Sequence, residues 1–186
     1  YKENLGGLTF HLSLGSFFQV HSGQAEKLYA LLSQWTEEGQ TIVDGYSGSG
    51  GIALWLAKQG RNVVGIEKFA PAMEDARLSA ESNGLSNCRF LTGTVEEHAS
   101  VLNETIHTFV VDPPRKGCSE EVIQAIKDAQ PKQIIYVSCN PSTLARDLER
   151  LEGYKIQDIQ LIDMFPQTQH VETAIRLSKV PQEKDM

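Results

Sequence analysis

Short apolar segments alternate with amphipathic segments along most of this 186-residue chain, and this alternation limits the folds it can adopt. The apolar segments have the length of strands, and those between them have the periodicity of helices. Such alternation is typical of an open, mostly parallel sheet with helices on both faces. The predicted strands are residues 41–44, 62–67, 88–91, 108–111, 133–137, 155–162 and 172–178, and the predicted helices are residues 22–38, 51–59, 71–83, 120–130 and 142–151. The sequence therefore predicts an α/β fold around a seven-stranded sheet.

The two ends of the chain depart from this alternation. The last two predicted strands follow one another without a helix, so we expect an antiparallel pair at one edge of the sheet. Residues 5–20 alternate roughly between apolar and polar and predict a short hairpin, after which Ser22 is predicted to cap the first helix. We expect a hairpin and linker over residues 1–20, one domain over residues 21–180 and a frayed polar tail over residues 181–186.

Composition excludes several classes of protein. The net charge of −7 does not suit a chain whose main task is to grip phosphate backbones, so affinity for nucleic acid must depend on a local patch or on residues outside this sequence. No apolar run is long enough to cross a membrane. The three cysteines lack the spacing of metal ligands, which predicts a reduced, cytoplasmic chain without a metal site. Because the first residue is Tyr1 rather than Met, we expect a piece of a longer protein.

A glycine-rich turn connects a predicted strand to a predicted helix at residues 43–53. Gly48, Gly50 and Ala53 satisfy the G-x-G-x-x-G/A pattern of nucleotide-binding turns, in which glycine lets the backbone approach a ligand closely. Glu67 ends the next predicted strand, where its carboxylate can accept two hydroxyl groups of a ribose. The alternative is a turn that needs glycine only for its shape, but strand, turn, helix and acid together favour a cofactor site.

The charge of this turn separates two kinds of cofactor. A pyrophosphate binds the positive end of a helix, and the carboxylate of Asp44 would repel it. A ligand with an ammonium group, such as S-adenosylmethionine, suits Asp44 and the nearby Tyr46 better. The turn therefore favours a methyltransferase over a dehydrogenase.

A second rigid turn, Asp-Pro-Pro-Arg-Lys-Gly, begins at Asp112 after another predicted strand. The two prolines remove backbone donors and force an extended exit from the strand, which holds Asp112 at the carboxyl edge of the sheet. Open α/β sheets bind ligands at that edge. We therefore expect Asp112 to be functional, and Arg115 and the lysine after it to contact phosphate. The alternative is a stiff loop with two solvated basic residues.

Cys139 is the candidate nucleophile. It follows an apolar predicted strand and precedes an Asn-Pro turn and the start of a helix. A thiol near a helix N-terminus has its thiolate favoured, so we expect a reactive cysteine at this position. Cys88 and Cys118 fit ordinary placement in the core or at the surface.

Four separated segments resemble motifs of the RNA uracil-5-methyltransferases, in the order found in that family. They are residues 15–20, 112–117, 137–147 and 163–172, and the likeness extends from about residue 8 to residue 180. The resemblance implies a Rossmann-like class I methyltransferase fold, S-adenosylmethionine as cofactor and RNA as substrate. It also implies that this chain is the catalytic domain only.

The resemblance implies a covalent mechanism. Addition of the Cys139 thiolate to carbon 6 of a uracil makes carbon 5 enolate-like, and carbon 5 then takes the methyl group. Glu172 would remove the remaining proton from carbon 5 before Cys139 leaves. The target base must be unstacked to reach such a site.

The other site residues are implied by the same resemblance. Those implied to contact the cofactor are Gln19, Tyr46, Glu67 and Asp112, which join Gly48 and Gly50 of the glycine turn, and Phe17 is implied to stack on the substrate base, which joins Arg115 as a candidate substrate contact. The chain departs from the family at Gly51, where members often carry Asn, and at Thr94, where they often carry Asn or Asp. Contacts at these two positions are therefore open.

Full-length members of the family carry an N-terminal RNA-binding domain, and some hold an iron–sulfur cluster, on residues that this sequence lacks. The acidic charge is consistent with RNA affinity in that missing part, and we expect a monomer. Ribosomal RNA and transfer RNA are both candidate substrates, with ribosomal RNA preferred.

Two other functions stay open from the sequence. The Asp-Pro-Pro turn also suits an amino-directed nucleic-acid methyltransferase, which needs no cysteine but usually has an aromatic residue where Arg115 stands. The third hypothesis is a non-catalytic fragment that binds the cofactor or RNA.

Overall fold

The computed structural model describes residues 1–19, 21–99, 105–164 and 171–181. These residues form a seven-stranded sheet, a two-stranded hairpin and six helices. The strands are β1 (Lys2–Leu5), β2 (Leu8–His11), β3 (Thr41–Gly45), β4 (Asn62–Glu67), β5 (Cys88–Thr92), β6 (Thr108–Val111), β7 (Gln133–Ser138), β8 (Tyr154–Ile162) and β9 (Glu172–Lys179). The helices are α1 (Ser22–Gln34), α2 (Gly51–Lys58), α3 (Ala70–Ser82), α4 (Val95–Ala99), α5 (Glu120–Ala129) and α6 (Pro141–Arg150).

The large sheet has the strand order β5-β4-β3-β6-β7-β9-β8. Neighbours from β5 to β7 pair in parallel, whereas β9 pairs antiparallel with both β7 and β8. The predicted seven strands, the mostly parallel sheet and the antiparallel pair at its edge are therefore confirmed. The strand order reverses at β3, because β4 and β5 lie on one side of β3 and β6 lies on the other. Open α/β sheets bind ligands at the carboxyl end of such a reversal.

Helices cover both faces of this sheet. On one face, α1, α2 and α3 bury residues such as Leu28, Leu54 and Met73. On the other face, α4, α5 and α6 pack over residues such as Phe109 and Tyr136. Each large apolar side chain that is fully buried stabilises the fold by roughly 1.5–3 kcal/mol. Two cores therefore hold the carboxyl edge of the sheet in place.

The N-terminal hairpin lies earlier than predicted. Its strands span residues 2–11, rather than residues 5–20, because Gly6 and Gly7 adopt positive φ angles of 55° and 72° and form the turn. Residues 12–19 then run irregularly and reach the carboxyl edge of the large sheet.

The ends of α1 also differ from the prediction. The cap is His21, whose ring accepts a hydrogen bond from the backbone N–H of Gln24 at 3.3 Å. Ser22 is already the first helical residue, so the prediction that its hydroxyl caps the helix is wrong. The helix ends at Gln34 rather than near residue 38. The sequence did not predict α4, because five residues are too few to show helical periodicity.

The hairpin packs against α3, where the backbone N–H groups of Thr9 and His11 donate to the side chains of Asn83 at 2.9 Å and Ser79 at 2.8 Å. The predicted domain boundary at residue 20 stays a prediction. The predicted frayed tail lies almost wholly outside the described residues. Within the described ranges, every helix is too short or too polar to cross a lipid bilayer.

Candidate active site

A cavity of about 710 Å³ opens at the carboxyl edge of the sheet, where the strand order reverses. Its wall has two sides. The glycine-turn side consists of Asp44, Tyr46, Ser47, Gly48 and Glu67. The thiol side consists of Asp112, Arg115, Cys139 and Glu172.

The backbone of the glycine-turn side is tightly folded. Tyr46 and Gly48 have positive φ angles of 62° and 54°, and Gly50, at 85°, caps α2. The backbone N–H of Ser47 donates to the carbonyl of Ile66 at 2.9 Å, which joins the turn to β4. A left-handed conformation at a non-glycine residue costs about 1–2 kcal/mol, and the surrounding structure must hold Tyr46 in it. The turn therefore has a fixed shape.

Hydrogen bonds hold both carboxylates of the glycine-turn side. Glu67 accepts from the backbone N–H groups of Gly48 at 3.3 Å and Phe69 at 2.9 Å. Asp44 accepts from the hydroxyl of Ser47 at 2.9 Å. Burial raises the pKa of Asp44 to about 7, although the hydrogen bond from Ser47 opposes this rise. A cationic group of a ligand beside Asp44 would favour its ionised form.

Strand pairing assembles the thiol side. The last register pair of β7 and β9 is Ser138 with Thr173. Cys139 follows the last residue of β7 and Glu172 begins β9, so both lie at the same end of this antiparallel pair, and both line the cavity. Asp112 leaves the end of β6, the parallel neighbour of β7, on the same edge.

The thiol of Cys139 is less acidic than the sequence predicts. It lies just before α6, whose cap is Asn140, but burial raises the pKa of Cys139. The negative charges of Glu172 and Asp112 raise this pKa further, whereas a hydrogen bond from the Arg115 guanidinium lowers it. The prediction of a favoured thiolate is therefore wrong for this structure, because burial and the charges of two carboxylates outweigh the effect of the arginine.

The carboxyl groups of the thiol side are also shifted. Burial raises the pKa of Glu172, which is 6% exposed. Burial, followed by the charges of Glu172 and Asp44, holds the pKa of Asp112 well above its usual range. A carboxylate with a raised pKa is a stronger base at neutral pH. The arrangement can therefore receive a proton beside a nucleophilic sulfur.

Three buried polar atoms on the cavity wall lack a hydrogen-bond partner. They are Asp44 Oδ1, Thr94 Oγ1 and Glu172 Oε2. In the part of the chain that the structure describes, only Gln40 Oε1 is a further buried side-chain atom of this kind. A buried polar group without a partner costs about 1–3 kcal/mol. Their concentration at one cavity indicates a polar ligand that would satisfy them.

The structure brings the predicted site residues together, with one exception. The predicted residues that line the cavity are Phe17, Gln19, Tyr46, Gly48, Glu67, Asp112, Arg115, Cys139 and Glu172. Gly50 does not line it, because it lies behind the wall, where an added Cβ would be 3.0 Å from the Cβ of Ala76. Lys116, predicted with Arg115 as a phosphate contact, is exposed at the same wall.

Tyr29 lines the cavity and was missed by the sequence analysis. A Cβ added to Gly51 would lie 2.5 Å from the hydroxyl oxygen of Tyr29, so the tyrosine takes up the space beside this glycine. Burial raises the pKa of Tyr29, and the charges of Asp112 and Asp44 add to the rise. Because Tyr29 follows the apolar pattern of α1, no local signal separates it from a core residue.

Part of the fourth motif lies outside the described residues. Residues 165–170 belong to that part, and they include His170, which the sequence predicts to be structural or at the surface. Residue 20, at the end of the first motif, also lies outside it. Glu172, the member of the fourth motif that carries the predicted chemistry, is described.

The sheet order, the glycine turn after β3 and the acid at the end of β4 define the Rossmann-like fold of the class I methyltransferases. A solved structure with this fold is the Pyrococcus abyssi tRNA (uracil-54, C5)-methyltransferase in complex with S-adenosyl-L-homocysteine. It superposes with a TM-score of 0.86 and 36% identity over 95% of this chain and 44% of that chain. A model of the tRNA (uracil-5-)-methyltransferase family matches residues 7–180, and the chain belongs to this family. The resemblance found in the sequence is confirmed.

Curated relatives are longer than this chain. An uncharacterized RNA methyltransferase of Gloeobacter violaceus is 47% identical over 182 residues, which cover 96% of this chain and 39% of the relative. Another, of Clostridium acetobutylicum, is 41% identical over 186 residues, which cover 96% of this chain and 40% of the relative. The chain therefore spans about two fifths of the length of these relatives.

Proposed function

We propose that this chain is the catalytic domain of an enzyme that methylates carbon 5 of a uridine in RNA, with Cys139 as covalent nucleophile. The observation that supports this most directly is the convergence of Cys139 and Glu172, which lie 33 positions apart in the sequence (172 − 139), on one side of the cavity. The other side carries the glycine turn of the methyltransferase fold. An amino-directed methyltransferase would need neither the thiol nor its pairing with a carboxylate.

The glycine-turn side fits S-adenosylmethionine, which supplies the methyl group when bound. The carboxylate of Glu67, oriented by two backbone N–H groups, is placed for the ribose hydroxyls. The unpartnered oxygen of Asp44 suits the ammonium group, and Gly48 leaves room for close approach. Gln19, Tyr46 and Asp112 would complete the contacts. The Pyrococcus abyssi relative was solved with S-adenosyl-L-homocysteine, which supports the same cofactor here.

The thiol side performs the covalent steps in this proposal. The Cys139 thiolate, favoured by the Arg115 guanidinium, forms a bond to carbon 6 of the base. The electron pair of the carbon 5–carbon 6 double bond moves toward carbon 5 and the neighbouring carbonyl, so carbon 5 becomes nucleophilic and takes the methyl group. Glu172 then accepts the proton from carbon 5. The electron pair of that C–H bond restores the double bond, and the bond to sulfur breaks.

The mouth of the cavity suits a base that has left its stack. Phe17 is 65% exposed on the wall, so its ring is available to stack on a base. Arg115 and Lys116 provide positive charge for nearby phosphates.

The preference for ribosomal RNA stays a prediction. The names of the matched family and of the Pyrococcus abyssi relative refer to tRNA, so both RNAs belong in an assay. A modification map of cellular RNA with and without the parent gene would identify the target.

We infer that part of the RNA affinity comes from an N-terminal RNA-binding domain outside this sequence. The relatives contain more than this chain, and the net charge of −7 leaves little general attraction for RNA. We also expect the longer protein to be a cytoplasmic monomer.

Trapping on RNA that contains 5-fluorouridine tests the covalent step. Fluorine at carbon 5 cannot leave as a proton, so the adduct formed after methylation persists. We expect a cofactor-dependent RNA adduct with the longer protein, detected by denaturing electrophoresis and mass spectrometry. The same adduct should form with Cys88→Ala, a matched thiol variant away from the cavity. An intact adduct in Cys139→Ala would overturn the proposed role.

A further inference from the structure

The Asp-Pro-Pro loop that leads from β6 to α5 is fixed by side chains of α6 and its cap. The carbonyl of Arg115 accepts hydrogen bonds from the Asn140 amide at 3.0 Å and the Thr143 hydroxyl at 3.1 Å. The carbonyl of Lys116 accepts from the Arg146 guanidinium at 2.8 Å. The backbone from which the Arg115 side chain projects is therefore set by a neighbouring helix.

Asp147 lies at the centre of this arrangement and is fully buried. Its Oδ2 accepts from the backbone N–H of Cys118 at 2.8 Å and from the hydroxyl of Tyr136 at 2.6 Å. Its Oδ1 accepts from Nε of Arg146 at 2.9 Å. One carboxylate thus joins the end of the loop, the strand β7 that leads to Cys139, and the helix α6.

Gly117 shows how closely the loop approaches this carboxylate. It has a φ angle of 76°, and a Cβ added there would collide with the Asp147 carboxylate and the Arg146 guanidinium. The backbone of Gly117, two residues from Arg115, therefore lies directly against the Asp147 carboxylate. Asp147 itself does not line the cavity, so any influence on the cavity must pass through its neighbours.

Arg115 is the neighbour through which such an influence reaches the thiol. Both residues line the thiol side of the cavity, where the Arg115 guanidinium, as a hydrogen-bond donor to the thiol, lowers the pKa of Cys139. The Arg115 side chain is exposed at the cavity mouth, and a long exposed side chain has many rotamers. Its contact with sulfur therefore depends on a correctly placed backbone.

We propose that Asp147 is a positioning residue of the thiol side, which locks the end of the Asp-Pro-Pro loop onto α6 and so keeps the Arg115 guanidinium against the Cys139 thiol. The proposal rests on the proposed function in taking Cys139 as the nucleophile. Its test, however, measures thiol reactivity and requires no methyl transfer.

The test compares the rate at which iodoacetamide alkylates Cys139 in the wild-type chain and in Asp147→Asn, followed by peptide mass spectrometry over a range of pH. We expect alkylation to be roughly tenfold slower at neutral pH, because a lost cationic partner reduces the thiolate fraction that reacts. A purely electrostatic effect has the opposite sign, since removal of a negative charge favours the thiolate. An unchanged or faster rate would therefore overturn the proposal.

A double-variant cycle tests whether Asp147 acts through Arg115. Arg115→Gln should slow alkylation by a similar factor, and Asp147→Asn should add no further slowing in that background. If the double variant loses a second factor of about ten, Asp147 acts by another route and the proposal is wrong.

Two further variants show whether slower alkylation reflects a specific role of Asp147 or a general loosening of the fold. Asp75→Asn is the matched control, because Asp75 is also a buried helical carboxylate, 4% exposed, that accepts from a loop N–H, that of Ser13, at 2.8 Å. It should leave the alkylation rate of Cys139 unchanged, and an equal slowing would refute a specific role for Asp147. If Asp147→Asn does not fold, Arg146→Gln replaces it in the test, because the Arg146 side chain is only partly buried. This variant loses the hydrogen bonds to the carbonyls of Lys116 and Cys118, and it should slow alkylation severalfold. No slowing in this variant would also count against the proposal.

The outcome separates this proposal from the proposed function. If Asp147→Asn slows alkylation while Cys139→Ala still forms the RNA adduct, the positioning role stands and the proposed nucleophile is wrong. If Cys139→Ala forms no adduct and Cys139 alkylates normally in Asp147→Asn, Cys139 stands as the nucleophile and the positioning role of Asp147 is wrong.

Discussion

The two sides of the cavity are built in different ways. On the glycine-turn side, the residues that fix each other belong to one strand–helix–strand unit, β3-α2-β4, as in the hydrogen bonds from Ser47 to Asp44 and from Gly48 to Glu67. The thiol side depends on pairing between β7 and β9, which brings Cys139 and Glu172 together from distant parts of the chain. A binding geometry can thus be prepared by one such unit, whereas the reactive pair requires strands that are not consecutive in the chain.

The two sides also differ in how their charged groups are held. Glu67 has both of its oxygens engaged by backbone N–H groups. On the thiol side, burial raises the pKa of both Cys139 and Glu172, and one oxygen of Glu172 has no partner. Glu67 therefore offers a finished contact to a ligand, although Asp44 on the same side has a raised pKa and one oxygen without a partner, while the thiol side holds groups whose protonation must change during a reaction. Variants on each side should therefore fail in different ways.

The largest difference between the effects on methyl transfer and on cofactor affinity is expected for Cys139→Ala. Methylation of uridine RNA by the longer protein should fall by a factor of about 10³ or more, because the covalent step is lost. Affinity for S-adenosylmethionine should stay within about twofold, since Cys139 is not one of the proposed cofactor contacts. Radiolabelled methyl transfer and calorimetry measure the two quantities. A matching loss of cofactor affinity would show that the two sides are not independent.

Glu172→Gln should reduce turnover by about 10²–10³, the usual contribution of a general base, and should let the RNA adduct accumulate. The same change should make Cys139 alkylate faster at neutral pH. The negative charge of Glu172 raises the pKa of the thiol, so its removal lowers that pKa and increases the thiolate fraction. Normal turnover or slower alkylation would contradict the assignment. Glu96→Gln, a change to an exposed carboxylate on α4, serves as the comparison for alkylation.

Asp44→Asn should weaken binding of S-adenosylmethionine by about tenfold, because a charge-assisted contact becomes neutral. It should also stabilise the fold increasingly as pH rises through one window, and the gain should persist above that window. The folded pKa of about 7 lies above the usual carboxyl value, so the folded chain retains a proton that the unfolded chain releases. The contribution of Asp44 to the free energy of unfolding of the wild type therefore falls as pH rises from about 4 to 7, and it stays low above that pH.

Thermal unfolding of Asp44→Asn at several pH values checks this sign. The melting temperature of the variant should match that of the wild type near the acidic end of the window and exceed it by several degrees above the window. A variant that is less stable than the wild type at alkaline pH would show that the folded chain stabilises the ionised carboxylate of Asp44, contrary to a raised pKa.

The smallest effect is expected for Gly51→Ala. The added methyl group would lie 2.5 Å from the Tyr29 hydroxyl oxygen, and overpacking of this kind costs about 1 kcal/mol or more, or roughly fivefold in cofactor affinity. Tyr29→Phe removes that oxygen and should restore part of the affinity in the double variant, measured by calorimetry. Cys139 alkylation should not change in either variant. An equal loss with and without the tyrosine hydroxyl would mean that Gly51 is required for another reason.

Much of the site could be predicted from the sequence because its residues lie at strand ends. Asp44, Glu67, Asp112 and Cys139 each follow or end an apolar segment, and parallel strands bring such positions to one edge. Tyr29 could not be found in this way, because it has the spacing of a core residue on α1 and reaches the cavity only through helix packing.

The sequence by itself determined the α/β architecture, the seven strands and the family. Hydrophobic periodicity depends only on residues close together in the sequence, and the order of the motifs can be seen directly along the chain. Only the tertiary structure decided the protonation of the site. The thiol of Cys139 was expected to be acidic from its place before a helix, yet burial and the charges of Glu172 and Asp112 raise its pKa. The support of Asp147 for the Asp-Pro-Pro loop is likewise visible only in the folded chain. Electrostatic energies depend on distance and burial, and neither quantity exists until the strands have paired.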